Sequence, residues 1–322
     1  MKKIAITGAT GFIGANLARR LHQDGHEVHL ILRPQYQPWR IENMRSSFKL
    51  HIIDLADAQQ IQQLLKTIRP QWIFHLAAYG AYSYQKDLAA MMATNIVGLH
   101  HLVEAALLSG FESFVNVGSS SEYGFKDHPA KENEALDPNS HYALTKAYAS
   151  MFCRHTALDQ KVNMVTLRPY TVYGPWEQPG RLVPSLIIEG MEKSFPALVS
   201  ADVARDFIYV DDFVDACILT AQQRAVDYGT IFNVGTGVQT TIKDAAELAR
   251  EVFSIKEAPR WGSMKSRSWD TNIWVSDSRL IEEKIGFKPK YSFKQGFLET
   301  LQWFERNPSL KEFYKRALPA KV

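Results

Sequence analysis

Residues 115–124, VNVGSSSEYG, run an apolar strand into three consecutive hydroxyls, a carboxylate and a phenol. Further on, SHYALTKAYA carries Tyr142 and Lys146 at Y-x-x-x-K spacing at the start of an apolar helical stretch. Four residues apart on a helix, a phenol and an ammonium share one face. A free phenol titrates at about 10, too high for easy proton exchange at neutral pH. A fixed ammonium beside it favours the phenolate. Tyr142 can then pass a proton to or from a substrate hydroxyl.

A second group of residues could hold phosphate. TGATGFIG sets Gly8, Gly11 and Gly14 directly after the apolar run 3–7 and at the start of a helix-like stretch. Glycine at 8 permits a tight turn, at 11 lets the backbone approach a pyrophosphate, and at 14 allows close helix–sheet packing. The turn through Thr10, Phe12 and Ile13 then points unsatisfied N–H groups at the phosphates. The spacing is G-x-x-G-x-x-G, not G-x-G-x-x-G. NAD sites place Asp or Glu at the end of the second strand to accept the ribose hydroxyls. Here that strand ends LILRP, with Leu32 and Arg33 in that place. A guanidinium pairs bidentately with a 2′-phosphate, and Arg40 is a possible second partner. The reading favours NADP(H) and leaves NAD(H) open. With such a cofactor, an oxidised nicotinamide adds to the ammonium in favouring the phenolate, proton exchange at Tyr142 accompanies hydride transfer, and Lys146 also holds the nicotinamide ribose.

These groups need a scaffold. Residues 3–7, 27–32, 50–54, 72–77, 113–118 and 162–168 are short, apolar and β-branched, with amphipathic stretches between them that close on glycine. This is the pattern of a doubly wound α/β, Rossmann-type parallel sheet, with ligands at the carboxyl ends of its strands. After Arg168 the texture becomes rich in Pro, Gly and aromatics, as in PYTVYGPWEQPGRLVP. The expected organisation is a dinucleotide-binding domain over 1–170, with strands returning from about 205–237, and a smaller substrate-binding lobe over 171–322.

Composition bounds the rest. The chain has 322 residues, 46% hydrophobic and 22% charged, with a net charge of +3. That charge is too small and too scattered to argue for nucleic acid or membrane. Cys153 and Cys217 lie in apolar runs and read as core residues of a reducing compartment. No window approaches eighteen uninterrupted apolar residues, and the N-terminus lacks a signal-peptide pattern, so the expectation is cytoplasmic. The ten histidines show no ligand spacing, and no metal site is expected.

The glycine turn, HLAA (75–78) with Ala77, Asn95 and the Y-x-x-x-K pair together resemble the extended short-chain dehydrogenase/reductase family, over nearly the whole chain. The resemblance implies that Asp54 and Leu55 line an adenine pocket. It also places a reacting hydroxyl five residues before the glycine of the Tyr123–Gly124 pair, at Ser119. Dehydratases of the family carry acidic residues at the next two positions, here Ser120 and Ser121. Serine can neither protonate a leaving hydroxyl nor remove a proton. Glu122 falls one place late, so a dehydratase is disfavoured.

The resemblance further implies a nucleotide-diphosphate sugar as substrate. Its expected contacts are Tyr79, Ser120, Ser121, Glu122, Thr171 (where many relatives have Asn), and the diphosphate-binding Arg205 and Arg267. A homodimer through helices near 86–109 and 142–157 is implied as well. The expected activity is C4 reduction of a nucleotide 4-keto-6-deoxyhexose by Ser119, Tyr142 and Lys146. A 4-epimerase with the same residues is the alternative. A 4,6-dehydratase, a reductase of a non-nucleotide ketone and a non-catalytic cofactor sensor are weaker readings.

Overall fold

The computed structural model describes residues 1–223, 227–265 and 270–318. Among them the strands are β1 (Lys3–Thr7), β2 (Glu27–Leu32), β3 (Lys49–Ile52), β4 (Trp72–His75), β5 (Ser113–Val117), β6 (Met164–Pro169), β7 (Thr171–Tyr173), β8 (Ala204–Tyr209), β9 (Ile231–Val234) and β10 (Gln239–Thr241). Seven of them form one parallel sheet in the order β3-β2-β1-β4-β5-β6-β9. The inner strands are buried along their whole length, which is why they read as unbroken apolar runs and do not alternate.

Helices cover both faces. On one side α1 (Phe12–Gln23) packs Leu17, Ala18 and Leu21 against the sheet. On the other, α2 (Ala58–Ile68) contributes Ile61 and Leu65 to a second core cluster. Strand order reverses between β1 and β4, so the crossovers leave in opposite directions there. A crevice opens at the carboxyl ends of these two strands.

The helix after β4 is composite. It runs as α3 (Leu88–Met92), a π-turn over Ala93–Val97, and α4 (Gly98–Ser109). By length and composition alone, Leu88–Ser109 is apolar enough to cross a membrane. Yet its Leu99, Leu102, Val103 and Ala106 share the core cluster with α2, so that side is taken up by the sheet. The next long helix, α5 (His141–Gln160), is capped by Ser140, whose Oγ accepts from Ala143 N at 3.1 Å.

A smaller layer follows. β7 and β8 run parallel, β10 pairs antiparallel with β8, and α6 (Leu182–Met191) packs there. Of the segment 205–237, only part returns to the first layer. β9 joins the large sheet and α7 (Val210–Gln222) packs on α1. β8 does not, because both its neighbours are strands of the lobe. The helices α8 (Ile242–Phe253), α9 (Arg279–Ile285), α10 (Phe293–Arg306) and α11 (Pro308–Ala317) complete the chain.

Candidate active site

The carboxyl ends of β1, β2, β4 and β5 bring four expected groups to one edge: the glycine turn, Arg33, Ala77 and Ser119. Gly8 has φ +71°, and a Cβ there would stand 2.5 Å from the Leu76 carbonyl carbon. Gly14 is closed to any side chain as well, since its Cβ would meet Gly8 O at 2.4 Å. Gly11 N donates to Gly8 O at 2.9 Å, and Gly11 caps α1 with no side-chain hydrogen bond. The first N–H groups of α1, from Phe12 and Ile13, therefore face the crevice as a bare donor set for phosphate. A dinucleotide pyrophosphate fits this cradle.

Thr7 and His75 brace its floor. Thr7 Oγ1 lies 2.8 Å from His75 Nδ1 and accepts from Ala77 N at 3.2 Å. Burial, helped by the Lys146 cation, pushes His75 down to about 3, so the imidazole beside the Thr7 hydroxyl is neutral.

Arg33 is exposed immediately after β2, as expected. Arg40 is a different matter. Its Nε donates to Trp176 O (2.7 Å), Nη1 to Thr10 O (3.2 Å) and Nη2 to Gln178 Oε1 (3.0 Å), and it stacks on Trp39. Every guanidinium nitrogen is committed to the protein. Arg40 is a strut between the glycine turn and the lobe, not a second phosphate partner.

Asp54 is exposed and accepts from Ala56 N (2.9 Å), while Leu55 packs against Gly98. Asn95, expected at the cofactor, is buried in the π-turn. Its Oδ1 accepts from Tyr79 N (2.8 Å), and its Nδ2 donates to Tyr79 O (2.8 Å) and Thr145 Oγ1 (2.9 Å). Its amide ties the Tyr79 loop to α5 and commits both of its N–H groups within the protein. A π-turn at such a place is a common mark of a functional site.

The catalytic candidates converge. Ser119 takes an extended backbone (φ −161°, ψ 142°) at the end of β5, partly exposed. Its Oγ accepts from Ser121 N at 3.2 Å and lies 2.8 Å from Ser121 Oγ. Tyr142 opens α5 and is partly buried, and Lys146 one turn on is buried with Nζ donating to Val117 O. Burial pushes Tyr142 up to about 12, against a hydrogen-bonding pull from Ser119, and burial likewise lowers Lys146. Desolvation is the largest influence on Tyr142, and it favours the protonated phenol.

Glu122 is corrected outright. It was expected to touch substrate, but it is 0% exposed and pairs with Arg168, Nε to Oε2 at 2.7 Å. Ser120 is buried too, in a small cleft beside Tyr170 and Trp274.

On the lobe side a cavity of about 390 Å³ is lined by Thr171, Arg181, Arg205, Arg260 and Glu177, with Phe195 among its apolar walls. Arg205 pairs with Asp270 at 2.7 Å and lies over Trp274. Arg267 lies outside the described residues. Sequence reasoning took PWEQPGRL for a crossing loop and missed Glu177 and Arg181. The signal was there: an acid and a base at i, i+4 bridging into a helix start, as their 3.3 Å ion pair shows. Among the described residues no group of three could hold a metal ion.

A family model described as "NAD dependent epimerase/dehydratase family" matches residues 4–235. The chain belongs to that family. Among other members, it is 30% identical over 316 residues to a UDP-glucose 4-epimerase of Mycolicibacterium smegmatis, covering 94% of this chain and 98% of that one. It is 26% identical over 328 residues to an Arabidopsis thaliana trifunctional UDP-glucose 4,6-dehydratase, 3,5-epimerase and reductase, RHM3, covering 95% of this chain. The chain spans about half the length of that curated plant relative, 48%. A solved structure of MoeE5, in complex with UDP-glucose and NAD, superposes with a TM-score of 0.83 at 26% identity, covering 95% of this chain and 99% of that one. The large parallel sheet of this chain is thus the Rossmann-type sheet of epimerase/dehydratase family members.

Proposed function

We propose that this epimerase/dehydratase family chain is an NADP(H)-dependent oxidoreductase that reduces C4 of a nucleotide-diphosphate 4-keto-6-deoxyhexose. The observation that carries the reading is Arg33, an exposed guanidinium where NAD sites keep a carboxylate. NADP(H) in turn suits a net reduction. Two further features agree. The protonated Tyr142 phenol is the form that gives a proton to a nascent alkoxide. And with Glu122 sealed behind Arg168, neither residue after Ser119 can serve as the acid that water elimination needs.

When bound, the cofactor supplies the hydride. The chain's own residues do the rest. The N–H groups of the glycine turn hold the pyrophosphate. Ser119 donates a hydrogen bond to the sugar O4 and Tyr142 delivers the proton to it, while Lys146 holds the nicotinamide ribose. Arg181, Arg205 and Arg260 line the lobe cavity together with Glu177, Glu189 and Asp270, so a nucleotide diphosphate there would compete with Glu177 and Asp270 for the guanidiniums they hold.

Incubation with NADPH and a panel of nucleotide 4-ketosugars tests the reading: NADPH should be consumed in proportion to the alcohol formed. The second reading, a 4-epimerase, is favoured by the whole-length mycobacterial relative. It predicts interconversion of nucleotide hexoses with no net loss of reduced cofactor. Replacing Arg33 by Glu should raise the KM for NADPH by about 10- to 100-fold, the worth of a charged hydrogen bond, and leave that for NADH nearly unchanged. Equal effects on both cofactors would count against NADP(H).

The proposed assembly is a homodimer. Leu144, Tyr148, Met151 and Leu158 form an exposed apolar stripe on α5, beside exposed Leu88, Met92 and Val97 of the composite helix. Unpartnered stripes of this kind mark protein–protein contacts. In sedimentation velocity the protein should run as a dimer, and Met151→Glu should shift it to monomer. A wild-type monomer at micromolar concentration would dismiss the assembly.

A further inference from the structure

The carboxylate that cannot reach substrate still reaches the site. Glu122 Oε1 accepts from the Ser119 backbone N–H (2.8 Å) and from Ser150 Oγ (2.8 Å), and Oε2 accepts from Arg168 Nε (2.7 Å). The Ser119 N–H and the Arg168 guanidinium can only donate, which suits the ionised carboxylate, although burial pushes the group up. Arg168 Nη1 donates onward to Tyr123 Oη (2.7 Å), whose O–H donates to Asn233 Oδ1 (2.7 Å). The carboxylate is thereby anchored across the ends of β5, β6 and β9.

Its position also explains a glycine. Gly118 has no unusual backbone angle, yet a Cβ there would stand 2.5 Å from Glu122 Oε1 and 3.0 Å from Ser150 Oγ. The carboxylate occupies the space that a side chain at 118 would fill. Glu122 and Ser119 also close a capping box on the short 3-10 turn Ser120–Tyr123. The Ser121 N–H meanwhile donates to Ser119 Oγ, and Ser121 Oγ lies 2.8 Å from it, with either hydroxyl able to donate.

We propose that Glu122, anchored on Arg168, is a positioning residue: it clamps the Ser119 backbone in the extended conformation that presents the Ser119 hydroxyl to the reacting oxygen beside Tyr142. The proposal rests on the reading that Ser119 and Tyr142 act on the substrate. The clamp also sets charge. Tyr142 is faced by Ser119, Glu122, Tyr82 and Arg181, with Lys146 one turn along α5. The Glu122 charge holds both the phenol and the buried amine up.

Gly118→Ala tests this without altering any charge, because its methyl evicts the carboxylate from the Ser119 N–H. Its kcat should fall by about 10²-fold, the cost of a misplaced reacting group, while the KM for the sugar and the Kd for NADPH stay within about twofold. Placed on Ser119→Ala, it should cost nothing further, since the two changes act through one hydroxyl. Ser150→Ala, which removes only one donor from Oε1, is the milder variant that decides if Gly118→Ala does not fold. Its kcat should fall several-fold with KM unchanged. Folded variants with wild-type kcat, or losses that add in full to Ser119→Ala, overturn the proposal. Wild-type turnover itself reports on the functional reading: no activity as reductase or epimerase defeats that reading, whereas variant-to-wild-type ratios speak to the clamp alone.

Discussion

Tyr142→Phe should lower kcat on the nucleotide sugar by about 10²- to 10⁴-fold and leave NADPH affinity close to wild type. The range is what a positioned acid or base contributes when it alone moves the proton. The ring remains, so packing at the start of α5 is kept, and only the phenolic proton is lost. The phenol, pushed up to about 12, carries its proton at neutral pH. Phenylalanine therefore removes a proton donor in place, not a rare phenolate. Stopped-flow measurement of NADPH oxidation gives the chemical step directly. If the Tyr142→Phe variant oxidised NADPH at the original rate, the proton would have to come from elsewhere, and the site assignment would fall.

The second large effect is expected at Gly8. Alanine there would be penalised twice: about 1–2 kcal/mol for a left-handed φ of +71°, and a collision with backbone at 2.5 Å, where no rotamer offers relief. The atoms it meets are the Leu76 carbonyl carbon and the Ala77 nitrogen, beyond the end of β4. Relief requires β1 and β4 to part at their carboxyl ends, which is where the dinucleotide crevice lies. Cofactor affinity should fall by more than about 100-fold, with a lowered melting temperature that NADPH no longer raises. Titration of NADPH fluorescence checks the first and a thermal scan with and without cofactor the second. Retained affinity would show that the crevice is not the dinucleotide site.

The sheet was legible because its inner strands are buried on both faces and so stand out as unbroken apolar runs. The glycine turn was legible because steric demands at 8 and 14 admit one residue type. The placing of Tyr142 and Lys146 one turn apart at the start of α5 was legible from their spacing, taken with the hydroxyl-tipped strand and the glycine turn. What escaped the sequence were side chains whose partners are distant along the chain. Arg40 reads as a free guanidinium until Trp176 and Gln178 are brought to it by the lobe. Asn95 reads as a ligand contact until a π-turn, which leaves no pattern in the residues, rotates its amide onto Tyr79 and Thr145. Glu122 sits one place from a catalytic register, and only Arg168, forty-six residues on, reveals that it faces inward. Burial of the phenol is likewise invisible to spacing, which reports the amine's position along the helix but not the desolvation that raises Tyr142.

The buried pair under Ser119 has a consequence for how such sequences can change over time. Removing one partner of a sealed ion pair strands the other charge, at a cost of about 3–5 kcal/mol, a large share of a domain's stability. Gly118, Glu122 and Arg168 therefore constrain one another's substitution, and a lineage would leave this arrangement by exchanging the members together. Drift at any one of them is barred, although none of the three is required by the reaction's own chemistry.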